Sequence, residues 1–278
     1  MTPLALVGEV AEQLAQAGVP SPRVDAEILV AHVSGLSRSE LYSSDRALGE
    51  GELERLRSLV ERRRAREPLA YVLGEWGFRR LTVKVDRRVL IPRPETEVLV
   101  ERSLELIAGL AEPHVLDVGV GSGAIAIAIA EEHPGARIVA VDRSPEALAV
   151  AEQNLARASV DGRVELRRGD LLADLTGPFD LVVSNPPYVT PEEYESLQPE
   201  IRLYEPREAL VGSGVGEAIA RAARSALAPG GWVVLECGDG QADGLAAELE
   251  RLGYGEVEKT RDLAGRDRIV AGQWPNQP

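Results

Sequence analysis

Apolar residues recur at helical spacing through the first quarter of the chain and in short strand-like runs through the rest. Val7, Val10, Leu14 and Ala17 fall on one helical face, as do Ile28, Leu29, His32 and Val33, and then Leu53, Leu56, Leu59 and Val60. Breaks at Gly18-Val19-Pro20-Ser21-Pro22, Gly35 and Gly49-Glu50-Gly51 separate these stretches. Residues 1–75 are therefore expected to form a bundle of four or five short helices. Between 76 and 92 the pattern turns β-rich, in Trp76-Gly77-Phe78-Arg79-Arg80-Leu81-Thr82-Val83-Lys84-Val85 and again in Val89-Leu90-Ile91 after the polar turn Asp86-Arg87-Arg88. A β-hairpin linker ending at Ile91-Pro92-Arg93-Pro94 is expected there.

From 113 onward, apolar β-rich runs alternate with helical stretches. Strands are expected at His114–Val118, Arg137–Asp142, Val164–Arg168, Phe179–Ser184, 232–236, 256–259 and 267–270, and helices near 122–132, 145–158, 214–228 and 239–252. Strands separated by helices of this length imply right-handed crossovers and an α/β fold with a doubly wound, mainly parallel sheet. The last two strands are joined by a loop with Gly265 instead of a helix, so the final one is expected antiparallel. The domain plan is 1–75, a linker 76–92, and 93–278.

Composition narrows the function. The 278 residues carry 45 acidic against 31 basic side chains, a net charge of −14, which disfavours a protein that wraps nucleic-acid backbone. Arg62-Arg63-Arg64 and Arg66 read as a solvated helix face, or with Arg79, Arg80, Arg87 and Arg88 as a local basic docking patch. Cys237 is the single cysteine, which fits a reducing cytoplasm, and His32, His114 and His133 are scattered, so no metal site is expected. No apolar run nears the roughly 20 residues needed to span a bilayer, and Met1-Thr2-Pro3-Leu4 opens no secretory leader. Neither a membrane nor stable nucleic-acid binding is expected.

Four stretches carry candidate chemistry. Val115-Leu116-Asp117-Val118-Gly119-Val120-Gly121-Ser122-Gly123-Ala124 runs a buried strand into a glycine turn and a helix, which lets a ligand approach the backbone closely. A dinucleotide site would look similar, but the spacing is not the full G-x-G-x-x-G, and Asp117 would hinder a pyrophosphate while suiting a cationic amino-acid moiety. Asp142 ends an apolar strand about 20 residues later, where an acid grips ribose hydroxyls; capping the helix that begins near Ser144-Pro145 is its other reading. In Gly169-Asp170-Leu171, Asp170 suits the exocyclic amine of an adenine and Leu171 its ring face, with a turn aspartate as the plainer alternative. Phe179-Asp180-Leu181-Val182-Val183-Ser184-Asn185-Pro186-Pro187-Tyr188-Val189 is the most specific. Its prolines remove two backbone donors and leave carbonyl acceptors. Asn185 adds a side-chain acceptor and donor, and Tyr188 a flat wall. Such a site suits a planar group bearing –NH₂, with its hydrogens going to the Asn185 side-chain oxygen and the Pro186 carbonyl.

On these residues the stretch from about 91 to 272 resembles a class I S-adenosylmethionine-dependent methyltransferase of the amino-group type, with a Rossmann-like fold. Four further segments are similar to bacterial release factor glutamine N5-methyltransferases: Leu90-Ile91-Pro92-Arg93-Pro94-Glu95-Thr96-Glu97, Tyr204-Glu205-Pro206-Arg207-Glu208-Ala209-Leu210, Leu235-Glu236-Cys237-Gly238-Asp239-Gly240-Gln241 and Asp262-Leu263-Ala264-Gly265-Arg266-Asp267-Arg268. With the helical bundle and hairpin, the likeness covers essentially the whole chain. Val120 stands where relatives often carry Thr. The resemblance implies methyl transfer to the side-chain nitrogen of a Gly-Gly-Gln glutamine in release factors, with S-adenosylhomocysteine as product. It assigns Asp117, Gly119, Val120, Gly121, Ser122, Gly123, Asp142, Asp170, Leu171 and Asn185 to the methyl donor. Asn185, Pro186, Pro187 and Tyr188 would hold the glutamine, with Asn185, Pro186 and Tyr188 catalytic and Glu95 and Glu97 helping to close the site; the same stretch also reads as a helix N-terminus, where acids are favourable in the first turn.

Three rivals share parts of this pattern. A DNA or RNA base amino-methyltransferase also uses Asn-Pro-Pro-Tyr on flipped bases, but the charge and the lack of a basic, aromatic-rich recognition domain oppose it. A ribosomal-protein glutamine methyltransferase would share the site, although the four segments favour release factors. A non-catalytic scaffold would have no need of an intact Asn-Pro-Pro-Tyr. The helical domain, which holds no candidate catalytic residue, is expected to dock the protein substrate. The acids Glu192, Glu193, Glu195 and Glu200 read as a solvated segment after the active-site loop.

Overall fold

The computed structural model describes residues 1–160, 162–173, 175 and 177–276. Contacts divide the chain into two units. One comprises 1–75 with 198–204, and the other 76–197 with 205–278.

The first unit is helical, as its periodicity predicts: α1 (Pro3–Gln16), α2 (Pro22–Ser34), α3 (Glu50–Arg64) and α4 (Leu69–Leu73), with a 3₁₀ turn at Glu40–Tyr42. Leu6, Val7, Val10 and Leu14 of α1 are buried, together with Leu29, Val30 and Val33 of α2 and Leu56 and Val60 of α3. Gly35 ends α2 at φ +69°, a left-handed cap that suits a residue without Cβ. The arginine run of α3 is not the solvated face expected. Arg63 is 5% exposed, and its guanidinium donates to Asp25 at 2.7 Å, to the Glu67 carbonyl at 3.1 Å and to Glu200 at 3.0 Å. Arg66 grips the same Glu200 with two donors at 2.7 and 2.6 Å. Glu200 is thus a buried partner, not part of a solvated acidic stretch, because an uncompensated buried guanidinium would be very costly. The partners lie 38 and 137 residues from Arg63, so nothing local in the sequence announces the cluster.

A hairpin follows, β1 (Glu75–Phe78) and β2 (Leu81–Lys84). The expected pairing of 76–85 with 89–91 is not made. The chain reverses earlier, where Arg79 adopts φ +51°, and 89–91 is not a strand. Arg79 is held in that turn: its backbone N–H donates to Glu97 at 2.9 Å and its guanidinium to Glu132 at 2.5 and 2.7 Å. Arg79 is therefore unavailable to a docking patch. Arg88 is likewise paired, with Asp86.

The remaining elements are α5 (Pro94–Ile107), β3 (His114–Val118), α6 (Ala124–Glu132), β4 (Arg137–Asp142), α7 (Pro145–Leu155), β5 (Val164–Arg168), β6 (Phe179–Ser184), α8 (Pro191–Ser196), α9 (Pro199–Tyr204), α10 (Val215–Ala223), β7 (Leu227–Glu236), α11 (Ala242–Arg251), β8 (Gly255–Arg261) and β9 (Asp267–Gln273). Every expected strand from β3 onward is present, and α5, α8 and α9 are additional to the helices expected. The seven-stranded sheet runs β5-β4-β3-β6-β7-β9-β8, parallel from β5 to β7, with β9 antiparallel to both its neighbours as the Gly265 loop implies. Leu116, Val118, Val182, Val233, Leu235 and Val270 face one side of the sheet with α10 and α11, and alternate residues face the side of α5 and α6. Sheet order reverses between β3 and β6. Open α/β sheets bind ligands at that switch point, beyond the carboxyl ends of the strands. Ser184 donates to the Val118 carbonyl at 2.6 Å and so ties the ends of those two strands together.

Among the described residues no helix is long and apolar enough to cross a membrane.

Candidate active site

A cavity of about 410 Å³ opens at the switch point, within the range of small-molecule sites. Its two walls come from different strands and are built in different ways.

The first wall is mostly backbone. After β3, Gly119 (φ +80°), Gly121 (φ +53°) and Gly123 (φ +86°) turn the chain through left-handed conformations that side chains resist. The N–H groups of Gly119 and Val120 donate to the Val141 carbonyl at 2.8 and 3.0 Å, which seats the turn against β4. Asp142 then accepts from Gly121 N–H at 3.0 Å and from Ser144 N–H at 2.9 Å. The helix that follows is capped by Ser144, whose hydroxyl accepts from Ala147 N–H at 3.1 Å, so Asp142 is not its cap; it fixes the turn before the helix and lines the cavity. Val120, whose side chain is buried, lines the cavity together with Gly119, Gly121, Ser122, Asp170 and Leu171.

Two expected donor residues do not reach the cavity. Gly123 shapes the turn instead: a Cβ there would meet Ile127 Cδ1 at 3.2 Å and Ala151 at 3.5 Å. Asp117 lies fully buried beneath the turn on the α6 side. Neither of its carboxylate oxygens has a well-formed hydrogen bond, and burial pushes its pKa up to about 7. The Ala126 N–H opposes that rise and the Asp142 charge reinforces it.

The second wall is made of side chains and prolines at the end of β6. Asn185, Pro186 and Pro187 line the cavity. The loop is held from several directions: Gln241 donates to the Tyr188 carbonyl at 3.1 Å, Val189 N–H to the Leu210 carbonyl at 2.9 Å and Gly212 N–H to the Val189 carbonyl at 3.1 Å. A Cβ on Gly212 would come within 2.9 Å of the Pro187 carbonyl, so this close approach requires glycine.

Tyr188, expected as a flat wall of the site, is half-buried behind it. It stands outside the cavity lining and donates its hydroxyl to Glu236 at 3.2 Å. Burial and the Glu236 charge push its phenol above the ordinary range. Glu95 and Glu97 also do not line the cavity. Glu95 pairs with Arg266 at 3.5 Å, and Glu97 is spent on Arg79. The residue between them, Thr96, does line it. Successive residues on a helix point about 100° apart, so both flanking acids face away when Thr96 faces in.

Thr96 and Glu236 are the residues sequence reasoning missed. Thr96 accepts from Asn185 Nδ2 at 3.1 Å and donates to Glu236 Oε2 at 2.7 Å. Glu236 is 1% exposed, and burial raises its pKa to about 7 against the opposing hydrogen bonds from Thr96 and Tyr188. An acid closing the apolar strand Trp232-Val233-Val234-Leu235 was the available signal, since buried carboxylates are rare without partners. Asn154 was also unforeseen: it donates to the Ser122 carbonyl at 2.8 Å and to the Lys84 carbonyl at 3.0 Å, which braces the glycine turn against β2.

A family model described as PrmC N-terminal domain matches residues 5–74, and one described as Methyltransferase small domain matches residues 95–247. The chain is 44% identical to a release factor glutamine methyltransferase of Geobacter sulfurreducens, over 94% of this chain and 92% of that one. It is 43% identical to a release factor glutamine methyltransferase of Deinococcus radiodurans, over 95% and 96% of the two chains. Among solved structures, the catalytic domain of hMettl16 in complex with an RNA hairpin matches with a TM-score of 0.57 at 16% identity, covering 82% of this chain and 81% of that one. That likeness concerns the fold alone.

Proposed function

The chain belongs to the release factor glutamine methyltransferases, and on that premise we propose that one wall of its cavity holds S-adenosylmethionine while the other presents the side-chain amide of a Gly-Gly-Gln glutamine. The enzyme transfers a methyl group to a glutamine of peptide chain release factors. The observation that carries the two-wall assignment is the pairing, across one cavity, of the glycine turn and Asp142 with Asn185 and Pro186.

The donor-side residues fit a nucleoside with an amino-acid tail. Asp142 keeps lone pairs beyond the two it gives to backbone N–H groups, and a carboxylate at that strand end suits ribose hydroxyls. Leu171 offers an apolar face and Asp170 an acceptor for a ring amine. When bound, this donor supplies a methyl group already activated by a positive sulfur.

The acceptor amide is a poor nucleophile because its lone pair is delocalised. Asn185 Oδ1 and the Pro186 carbonyl accept its two hydrogens, which fixes the nitrogen and favours its pyramidal form with the lone pair turned toward the donor. No described residue needs to act as a strong base, since the surplus proton leaves after transfer. Positioning of this kind can supply up to about 7–11 kcal/mol.

The helical unit is assigned to docking the release factor. It supplies none of the cavity-lining residues, and it exposes the apolar side chains Leu4, Val24 and Leu203. Single glutamate substitutions at these positions should raise KM for the release factor while leaving donor affinity and kcat unchanged. Unchanged KM in all three would place docking elsewhere. We place the reaction in the cytoplasm, with no stable nucleic-acid partner.

The functional test is transfer of labelled methyl to purified release factor, ribosomal protein and DNA side by side. Label confined to release factor is expected; equal or greater label in DNA would contradict the reading.

A further inference from the structure

An asparagine amide presents an acceptor at one end and a double donor at the other, and the two ends are nearly equal in size. A site that must accept hydrogens from a substrate amide therefore needs something to keep the correct end inward. Packing alone does not distinguish them. Hydrogen-bond polarity does.

The polarity is set by three side chains from three distant segments. Glu236, at the end of β7, accepts from the Tyr188 hydroxyl on Oε1 and from the Thr96 hydroxyl on Oε2. Above a pH of about 7 Glu236 is mainly ionised and can only accept, so there the single hydroxyl proton of Thr96 is committed to it. Thr96 Oγ1 then has only lone pairs left for Asn185, and it takes the Nδ2 end at 3.1 Å. Reversing the Asn185 amide would set Oδ1 against a hydroxyl with no proton to give. Among the described residues no protein donor reaches Oδ1.

From this geometry we infer that Thr96, with its proton held by Glu236, is a positioning residue that keeps Asn185 Oδ1 turned toward the incoming glutamine amide. The inference rests on the functional reading above and adds the device that gives Asn185 its direction. Thr96 acts through Asn185, and neither it nor Glu236 needs to touch the reacting nitrogen.

The test is steady-state methylation of release factor by the full-length enzyme at saturating methyl donor and at a pH above about 8, where Glu236 is ionised, with donor affinity measured separately by calorimetry. Thr96→Val keeps the shape and removes the hydroxyl. It should lower kcat by about tenfold or more while donor Kd stays within about threefold of wild type. Thr96→Ser, which restores the hydroxyl, should return kcat to within about threefold of wild type. Thr96→Ala, which adds no bulk, should reproduce the valine result, and calorimetric stoichiometry reports whether each variant is folded. In an Asn185→Ala background the Thr96→Val change should cost almost nothing more, because the group it orients is gone.

The inference is overturned if Thr96→Val and Thr96→Ala turn over like wild type, if serine does no better than valine, or if the full loss persists in the Asn185→Ala background. These outcomes leave the functional reading standing. A wild-type enzyme that methylates no glutamine would overturn both.

Discussion

On the proposed assignment, the two walls of the cavity solve opposite problems. The donor wall is backbone: three glycines at positive φ, two N–H bonds to Val141 and one acid at a strand end. The acceptor wall is a short loop whose useful atoms are one side-chain oxygen and one proline carbonyl, directed by residues 89 and 51 positions away from Asn185 in sequence. A backbone wall binds a ligand that is the same at every turnover. A side-chain wall aims a group that has to be at the right angle only when it reacts. Damage to the first should therefore appear in affinity, and damage to the second in turnover.

The sharpest way to break this distinction is Asn185→Ala. Misplacing the target nitrogen by about 1 Å costs on the order of 10²-fold in rate, so kcat at saturating donor should fall by about that factor. Turnover within about threefold of wild type would remove Asn185 from the positioning role. Asp142→Ala is the complementary change. Losing hydrogen bonds made by a charged group should weaken S-adenosylmethionine binding by roughly 1.5–3 kcal/mol, with kcat nearly intact once donor saturates. Calorimetry showing unchanged affinity would take Asp142 out of the donor wall.

The smallest effect concerns Asp117, which belongs to neither wall's surface. Burial raises its pKa from 3.8 to about 7, so the folded donor-free protein holds this proton more tightly than the unfolded chain. Stability should accordingly fall as pH rises between those values, with the full penalty present above about 7. Asp117→Asn cannot ionise, so its melting temperature relative to wild type should rise between pH 4 and pH 8. A pH-independent difference would mean that Asp117 is not a titrating buried carboxylate.

The contrast between the walls also explains what could be read from the sequence. The donor wall is local: a strand, a glycine turn and an acid about 20 residues on are visible in a window of 30 residues, and β3, β4 and the turn stand where the pattern puts them. The Asn-Pro-Pro loop is equally local, and Asn185 and Pro186 do meet the cavity. Its supports are not local. Within Pro-Arg-Pro-Glu-Thr-Glu attention falls on the charged residues, yet helix geometry turns Thr96 inward and gives Glu97 to the Arg79 backbone. The hairpin is present, but its turn lies elsewhere than the pattern puts it, for a similar reason. The turn at Arg79-Arg80 carries no glycine or proline, and it is stabilised by Glu97 and Glu132 from helices that follow it in the chain. The Arg63 cluster depends on a carboxylate 137 residues away. Charge runs are read as solvated faces unless a distant partner is known.

The central claim is that the acceptor wall delivers one particular nitrogen. Fragment-resolving mass spectrometry of release factor treated with this enzyme and methyl donor tests it directly, with a second release factor whose Gly-Gly-Gln glutamine is replaced by glutamate run beside it. The account predicts one methyl group on the side-chain nitrogen of that glutamine, and none on the glutamate form. A methyl group on any other atom, or undiminished methylation of the glutamate form, would contradict it.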